Sequence, residues 1–133
     1  MALRLTLAVP ENPLVQDEEA AWVVAPAAKG YVQILPGHAE YTATLGVGEL
    51  RFAQGDSVRR FALAGGFLEV KGDAVTVLAD EAAARESISR EEAERELEAG
   101  REALGAARTT EEVDAALARE RKAAAWLEAA KEE

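Results

Sequence analysis

The spacing of apolar residues changes period once along this chain, between Asp80 and Ser89, and that change limits what each half can become. Upstream the period is two. Leu3, Leu5, Leu7 and Val9 alternate with Arg4 and Thr6 until Pro10-Glu-Asn-Pro13 interrupts the run, and alternation puts one set of side chains on one face of a pleated strand. Further strands are expected over 14–16, 20–25, 31–35, 41–45, 49–53, 57–64, 66–70 and 74–78. They are separated by Pro26-Ala-Ala-Lys-Gly30, Pro36-Gly37, Gly46-Val-Gly48, Gln54-Gly-Asp56, Gly65-Gly66 and Lys71-Gly-Asp73, all of them turn chemistries. A glycine pair inside an apolar run also marks a bulge or a close backbone approach. Many short strands at this spacing predict an antiparallel β-sandwich or flattened barrel.

Downstream of Ser89 there is no proline, glycine occurs only at Gly100 and Gly105, and alanine, glutamate and arginine dominate. These are strong helix formers. Ser89-Arg-Glu-Glu92 and Thr109-Thr-Glu-Glu112 each have the form of a capping box and place two helix starts about twenty residues apart. Ala93, Leu97, Gly100, Leu104 and Ala107 give one seam; Val113, Leu117, Ala124 and Leu127 give the other. The expectation is an antiparallel α-helical hairpin turning near residues 108–110. Its seam is thin, because most positions are alanine, glycine or a single leucine. At ~25 cal/mol per Å² such a seam yields only a few kcal/mol, so the hairpin is expected to open without its helices melting. The boundaries follow: a sandwich domain over 1–84 and a hairpin over 85–133.

With 133 residues and 49% hydrophobic content the chain has enough for one modest core. Its net charge of -10, from 25 acidic and 15 basic residues, lacks the basic footprint of a nucleic-acid binder. There is no cysteine, which removes disulfides, thiolate metal sites and a cysteine nucleophile. No apolar run reaches the ~20 residues of a membrane span, and the N-terminus resembles neither a signal nor a transit segment. Membrane association is therefore expected to be indirect, through a protein partner.

Candidate chemistry is sparse. His38 is the only histidine. A triad would need it as general base, but no nucleophile accompanies it, and the better reading is a turn histidine that packs or bonds to backbone. Gly46-Val-Gly48 and Gly65-Gly66 lack the spacing of a phosphate loop and open no helix. Asp17-Glu-Glu19 lacks the alternation of a calcium loop and reads as a solvated hairpin. The acidic and basic residues of the first helix read as a wet face, with Glu91 and Arg95 as an i,i+4 pair. Arg119, Arg121 and Lys122 form a basic group on an acidic chain. Solvation and pairing with Glu120 and its neighbours is the plain account, and an interaction patch is the sharper one.

Four segments, in order, carry a resemblance: Leu35-Pro-Gly-His-Ala39, Leu45-Gly-Val-Gly-Glu-Leu50, Gly65-Gly-Phe-Leu-Glu-Val70 and Val75-Thr-Val-Leu-Ala-Asp80. The chain resembles the epsilon subunit family of F-type ATP synthases over essentially its whole length. The resemblance implies a sandwich of about ten short strands followed by a helical hairpin, in a noncatalytic rotor subunit of a proton-translocating ATP synthase. It implies no catalytic residue, no cofactor and no metal. The sandwich would be clamped to the gamma subunit and touch the polar loops of the c-ring; the hairpin would reach the alpha/beta catalytic subunits and block ATP hydrolysis. Gly30 and Tyr31 would face the c-ring, although many members have an acidic residue at Tyr31 and glycine at Gln33. Pro36, Gly37 and His38 would face gamma. Arg119, Arg121 and Lys122 would meet an acidic motif on beta.

Some bacterial members of that family bind ATP through an Ile/Leu-Asp-x-x-Arg-Ala motif. The stretch here is Ile88-Ser-Arg-Glu-Glu-Ala93, with Ser89 in place of aspartate and Glu92 in place of arginine, so weak or no ATP binding is expected. The expected location is the cytoplasmic face of a bacterial plasma membrane, as a peripheral part of the complex, although a plastid-encoded member would look the same. The competing readings are a small sandwich enzyme, or a free-standing ligand-binding or adaptor protein that uses the hairpin to pair with another helix.

Overall fold

A computed structural model describes residues 2–131. Seven strands, β1 (Leu3–Val9), β2 (Asn12–Ala20), β3 (Val23–Ala27), β4 (Gly30–Ile34), β5 (Tyr41–Gln54), β6 (Ser57–Lys71) and β7 (Ala74–Ala84), are followed by a 3-10 turn at Arg85–Ser87. Two helices complete the chain, α1 (Arg90–Ala106) and α2 (Thr110–Lys131). The strands form one sheet in the order β2-β1-β7-β6-β5-β3-β4. This sheet is folded over itself into a sandwich. Leu3, Leu5, Leu7, Val23, Ile34, Leu50, Phe52, Phe61, Leu63, Leu68, Val70, Val75 and Val77 all enter one core, and Phe52 and Phe61 stack at 6.3 Å within it. The two layers are also tied where β2 ends: Ala21 N donates to Ala53 O at 3.0 Å and Gln54 Nε2 to Glu18 Oε1 at 2.6 Å.

Two expectations are corrected. About ten short strands become seven, because β5 joins 41–45 to 49–53 and β6 joins 57–64 to 66–70. The glycines that separate those runs lie opposite one another in the β5–β6 ladder, where Leu45 pairs with Gly66 and Val47 with Ala64. Both strands bend there together, so the ladder turns a corner instead of ending. Gly65 and Gly66 have φ of 77° and 130°, and a Cβ on Gly66 would overlap the Leu78 carbonyl oxygen. The register runs through the pair without a shift on both sides, so the close backbone approach is the correct reading, and neither a bulge nor a turn forms there. The bend also changes which residues face inward: Phe61 and Leu63 are core on one side of it, Leu68 and Val70 on the other.

The second correction concerns direction. β1 pairs antiparallel with β2 but parallel with β7, with Arg4 opposite Ala74 and Ala8 opposite Leu78, so the sheet is mixed. Asp17-Glu-Glu19 is likewise no hairpin. It lies inside β2, with Asp17 at φ 48° where the β1–β2 register slips. The Arg4 guanidinium holds it there, bonding both the Asp17 carbonyl and its carboxylate, the latter at 3.2 Å.

The helical hairpin turns over 107–109 as expected, and both N-terminal caps form. Ser89 Oγ accepts from Glu92 N at 3.2 Å and Thr109 Oγ1 from Glu112 N at 3.0 Å. In the second, Glu112 reaches back one residue further than a capping box, to Arg108 N at 2.7 Å. Gly100 lies against the α2 backbone; a Cβ there would stand 3.1 Å from Glu120 Cα. The α2 seam is shifted from expectation: Ala116, Ala123 and Ala129 are buried, and Ala124 is exposed. The pair within α1 is Arg90–Glu94 at 4.0 Å, not Glu91–Arg95.

The hairpin lies down on the sandwich, with α2 against β5 and β6. Phe61, Ala62 and Leu63 are consecutive and all buried. Since successive strand residues face opposite sides, β6 is covered twice there, by the core on one face and by α2 on the face of Ala62.

Candidate functional site

The Leu35-Pro36-Gly37-His38 turn follows directly from its residues. Proline presets the first central position, and Gly37 takes φ 83°, as a type II turn requires of its second. His38 N donates to Leu35 O at 3.0 Å, and Gly37 N donates to Asp73 Oδ1 at 3.2 Å, fixing the turn to the β6–β7 connection. The His38 ring has its Nδ1 2.7 Å from Ala39 O and meets the Tyr41 ring edge-on at 5.9 Å. These contacts orient the ring against backbone and an aromatic neighbour, the arrangement of a positioned surface group.

Gly30 and Tyr31 lie at the opposite end of β4, in the β3–β4 hairpin. Gly30 has φ 135° and open space around it. Tyr31 is 59% exposed, and its hydroxyl accepts from Glu49 N at 3.0 Å. The ring passes over Gly48, where a Cβ would stand 2.5 Å from that hydroxyl and 2.8 Å from Pro26 Cβ. Gly48 therefore holds its place by close approach. The tip and the His38 turn are two separate surfaces.

Arg119, Arg121 and Lys122 do not form one patch with the hairpin down. Arg119 makes a two-point contact with Glu96 on α1, at 2.8 and 3.1 Å. Lys122 Nζ lies 3.1 Å from Glu81 Oε2 on β7 and 5.2 Å from the centre of the Trp126 ring. Arg121 points to neither; it lines the groove between α2 and β5 with Tyr31, Val47 and Glu49. Residues two apart on a helix diverge by roughly 200°, which accounts for the split. The pairing is also between elements, where solvation and neighbours within α2 were the plain expectation. Arg119 and Lys122 border a cleft of about 320 Å³ that Ser89, Glu92 and Ala93 also line, so the degenerate nucleotide motif faces the same space as these cations.

One surface was not singled out from sequence. Phe67 and Leu78 are cross-strand partners in β6 and β7 and are 51% and 54% exposed. The row continues to Thr44 on β5 and Ala8 on β1. Two large apolar side chains side by side on an outer face are a docking feature more than a scattered exception. The signal was present: each stands out of phase with core neighbours, Phe67 beside Leu68 and Leu78 beside Val77.

Electrostatics adds no buried reactive group. Arg4 and Arg119 are raised and Glu96 is lowered, each chiefly by the hydrogen bond to its ion-pair partner, Asp17, Glu96 and Arg119 respectively. All are solvent-exposed, so the shifts report surface pairing. Among the described residues no cluster of acidic and histidine side chains has the form of a metal site, and no helix is long and apolar enough to cross a membrane.

Residues 2–85 match the family described as ATP synthase, Delta/Epsilon chain, beta-sandwich domain. The ATP synthase epsilon chain of Carboxydothermus hydrogenoformans is 43% identical over 102 residues, covering 77% of this chain and 75% of that one. The corresponding protein of Solibacter usitatus is 45% identical over 106 residues, covering 79% and 78%. A chain in the cryo-EM structure of Euglena gracilis mitochondrial ATP synthase, OSCP/F1/c-ring in rotational state 1, superposes with a TM-score of 0.86 over 98% of this chain and 82% of that one. At 22% identity that likeness speaks for the fold alone. The family match over residues 2–85 and these identities agree, and the chain belongs to the ATP synthase epsilon chain family.

Proposed function

We propose that this chain is the epsilon subunit of an F-type ATP synthase central stalk, a noncatalytic part that couples rotation of the c-ring to the catalytic core through gamma. Residues 1–84 would do the docking and residues 85–133 the regulation. The observation that carries this reading is the exposed Phe67–Leu78 row on a rigid sheet. An apolar outer row on an otherwise acidic protein is suited to a partner surface that removes it from water. Through the Gly37–Asp73 bond, the turn of Pro36, Gly37 and His38 is fixed to the end of the same β6–β7 hairpin, which supports its assignment to gamma. The Gly30–Tyr31 tip, at the far end of β4, is suited to a separate partner, the polar loops of the c-ring.

Arg119, Arg121 and Lys122 are the brake residues in this reading. Freed from Glu96 and Glu81, they would meet an acidic surface of the alpha/beta catalytic subunits, where charge complementarity orders docking. The complex would sit at a bacterial plasma membrane with this subunit on the cytoplasmic face. Glu92 puts an anion where the motif carries its arginine, and the cations that share its cleft are already paired, Arg119 with Glu96 and Lys122 with Glu81, so calorimetry is expected to show no micromolar ATP binding.

The test is a gamma pull-down followed by an ATPase assay of the reconstituted complex, with and without residues 85–133 and with Arg119, Arg121 and Lys122 neutralised together. Stoichiometric gamma binding by all three forms, with faster ATP hydrolysis in the truncated and neutralised ones, is the expected result. Absence of gamma binding would remove the stalk assignment, and unchanged hydrolysis in the triple variant would remove these cations as the brake.

A further inference from the structure

The hairpin rests on the sandwich along a groove that α2 lines with Arg121, Ala124, Ala125 and Glu128, and an ion pair crosses from one to the other. Lys122 Nζ reaches Glu81 Oε2 at 3.1 Å, where Glu81 belongs to β7 and Lys122 to α2. The aliphatic and charged parts of Lys122 are further ordered by the Trp126 ring at 5.2 Å. A second pair, Arg119 with Glu96, staples the two helices to each other but not to the sheet. The third, Arg101 with Glu120 at 3.4 Å, does the same. Two pairs thus hold the hairpin as a unit, and a different one attaches that unit to the sandwich.

We infer that Glu81 is a catch: by pairing with Lys122 it holds the hairpin down and keeps one of the brake cations from the partner that the cation would inhibit. This inference rests on the regulatory reading of the hairpin given above. Lys122 has one ammonium, and its pairing with Glu81 and with an acidic partner surface compete directly. Whatever weakens the catch raises the population able to brake, because a surface that binds only the released hairpin draws on that population. An exposed pair of this kind changes an equilibrium by about two- to fivefold. That shift is modest, and it acts on a groove that α2 lines with two alanines, Ala124 and Ala125, between Arg121 and Glu128.

The absence of cysteine makes the test direct. With Ala62→Cys, a thiol is placed on the β6 face beneath α2, so its labelling rate measures how often the hairpin lifts, however rarely. A thiol at Val70→Cys, inside the sandwich core, serves as the control for global opening. In the full chain, Glu81→Lys is expected to raise labelling at position 62 by about two- to fivefold or more and leave position 70 unchanged. The exchange Glu81→Lys with Lys122→Glu is expected to restore the original rate. About 1 M salt should accelerate labelling in the parent chain and have little effect with Glu81→Gln. Equal labelling of the parent and Glu81→Lys chains, or failure of the exchange to restore it, would overturn the catch. Faster labelling without any change in ATP hydrolysis by the reconstituted complex would support the catch and remove the brake reading instead.

Discussion

The strand half and the helical half differ in what they bury. The twelve largest fully buried side chains all lie between Leu3 and Val70, and include Phe52, Phe61, Ile34 and five leucines before Leu68. The helices bury Ala93, Gly100, Ala116, Ala123 and Ala129. Fully burying a leucine or phenylalanine contributes about 1.5–3 kcal/mol, against about 0.8 kcal/mol per methylene-sized group. The sandwich is therefore a solid support. The hairpin is two stable rods on a contact that is inexpensive to break, a division suited to a subunit that must transmit force with one part and change position with the other.

Phe61→Ala tests the comparison most severely. It removes a ring stacked on Phe52 and is expected to destabilise the sandwich by about 3–5 kcal/mol, read by urea denaturation; a loss below about 1 kcal/mol would mean the core is not the support described. Replacing Phe67 and Leu78 together by aspartate should weaken gamma binding by about 30-fold or more, the scale of an interface hot spot, and leave the urea midpoint nearly unchanged. An unaffected pull-down would move the docking face elsewhere.

Gly100→Leu forces the helices apart where Gly100 meets the Glu120 backbone. It is expected to cost the hairpin about 1–3 kcal/mol, visible as faster hydrogen exchange in α1 and α2 with no change in β6. Equal loss in both halves would show that the two are one cooperative unit. The smallest effect is that of pH. Arg119 holds the Glu96 carboxyl below the ordinary carboxylate range, so its contribution to helix pairing is complete above that range. The contribution is lost as pH falls through the lowered value. Protection factors in α1, with the intrinsic pH dependence of amide exchange divided out, should fall on acidification in the parent chain and less so with Glu96→Gln.

Much of this was legible in the residues. Alternation at Leu3, Leu5 and Leu7 and the caps at Ser89 and Thr109 define elements by local chemistry, and these formed where expected. The glycines at 46–48 and 65–66 were misread as ends of strands, because a bend shared by two strands requires their register, and register is not local. The parallel β1–β7 pair is hidden for the same reason. At the candidate site, His38 and the Gly30–Tyr31 tip could be placed as turns, but Glu96 and Glu81 are 23 and 41 residues from their cations. No spacing rule joins such residues, so the cations read as one cluster until the packing of α2 separated them.

The parallel pairing of β1 with β7 bears on the order in which the molecule can be made. Arg4 meets Ala74, so β1 waits for β7, synthesised after it, before its second edge is filled, a closure across about seventy residues that is slow by contact order. Only a nearly complete sandwich offers the Ala62 surface, and α2 is synthesised after it. Assembly during translation thus runs in one direction: the platform sets first, and the helices settle on a finished surface as the final and most easily reversed step.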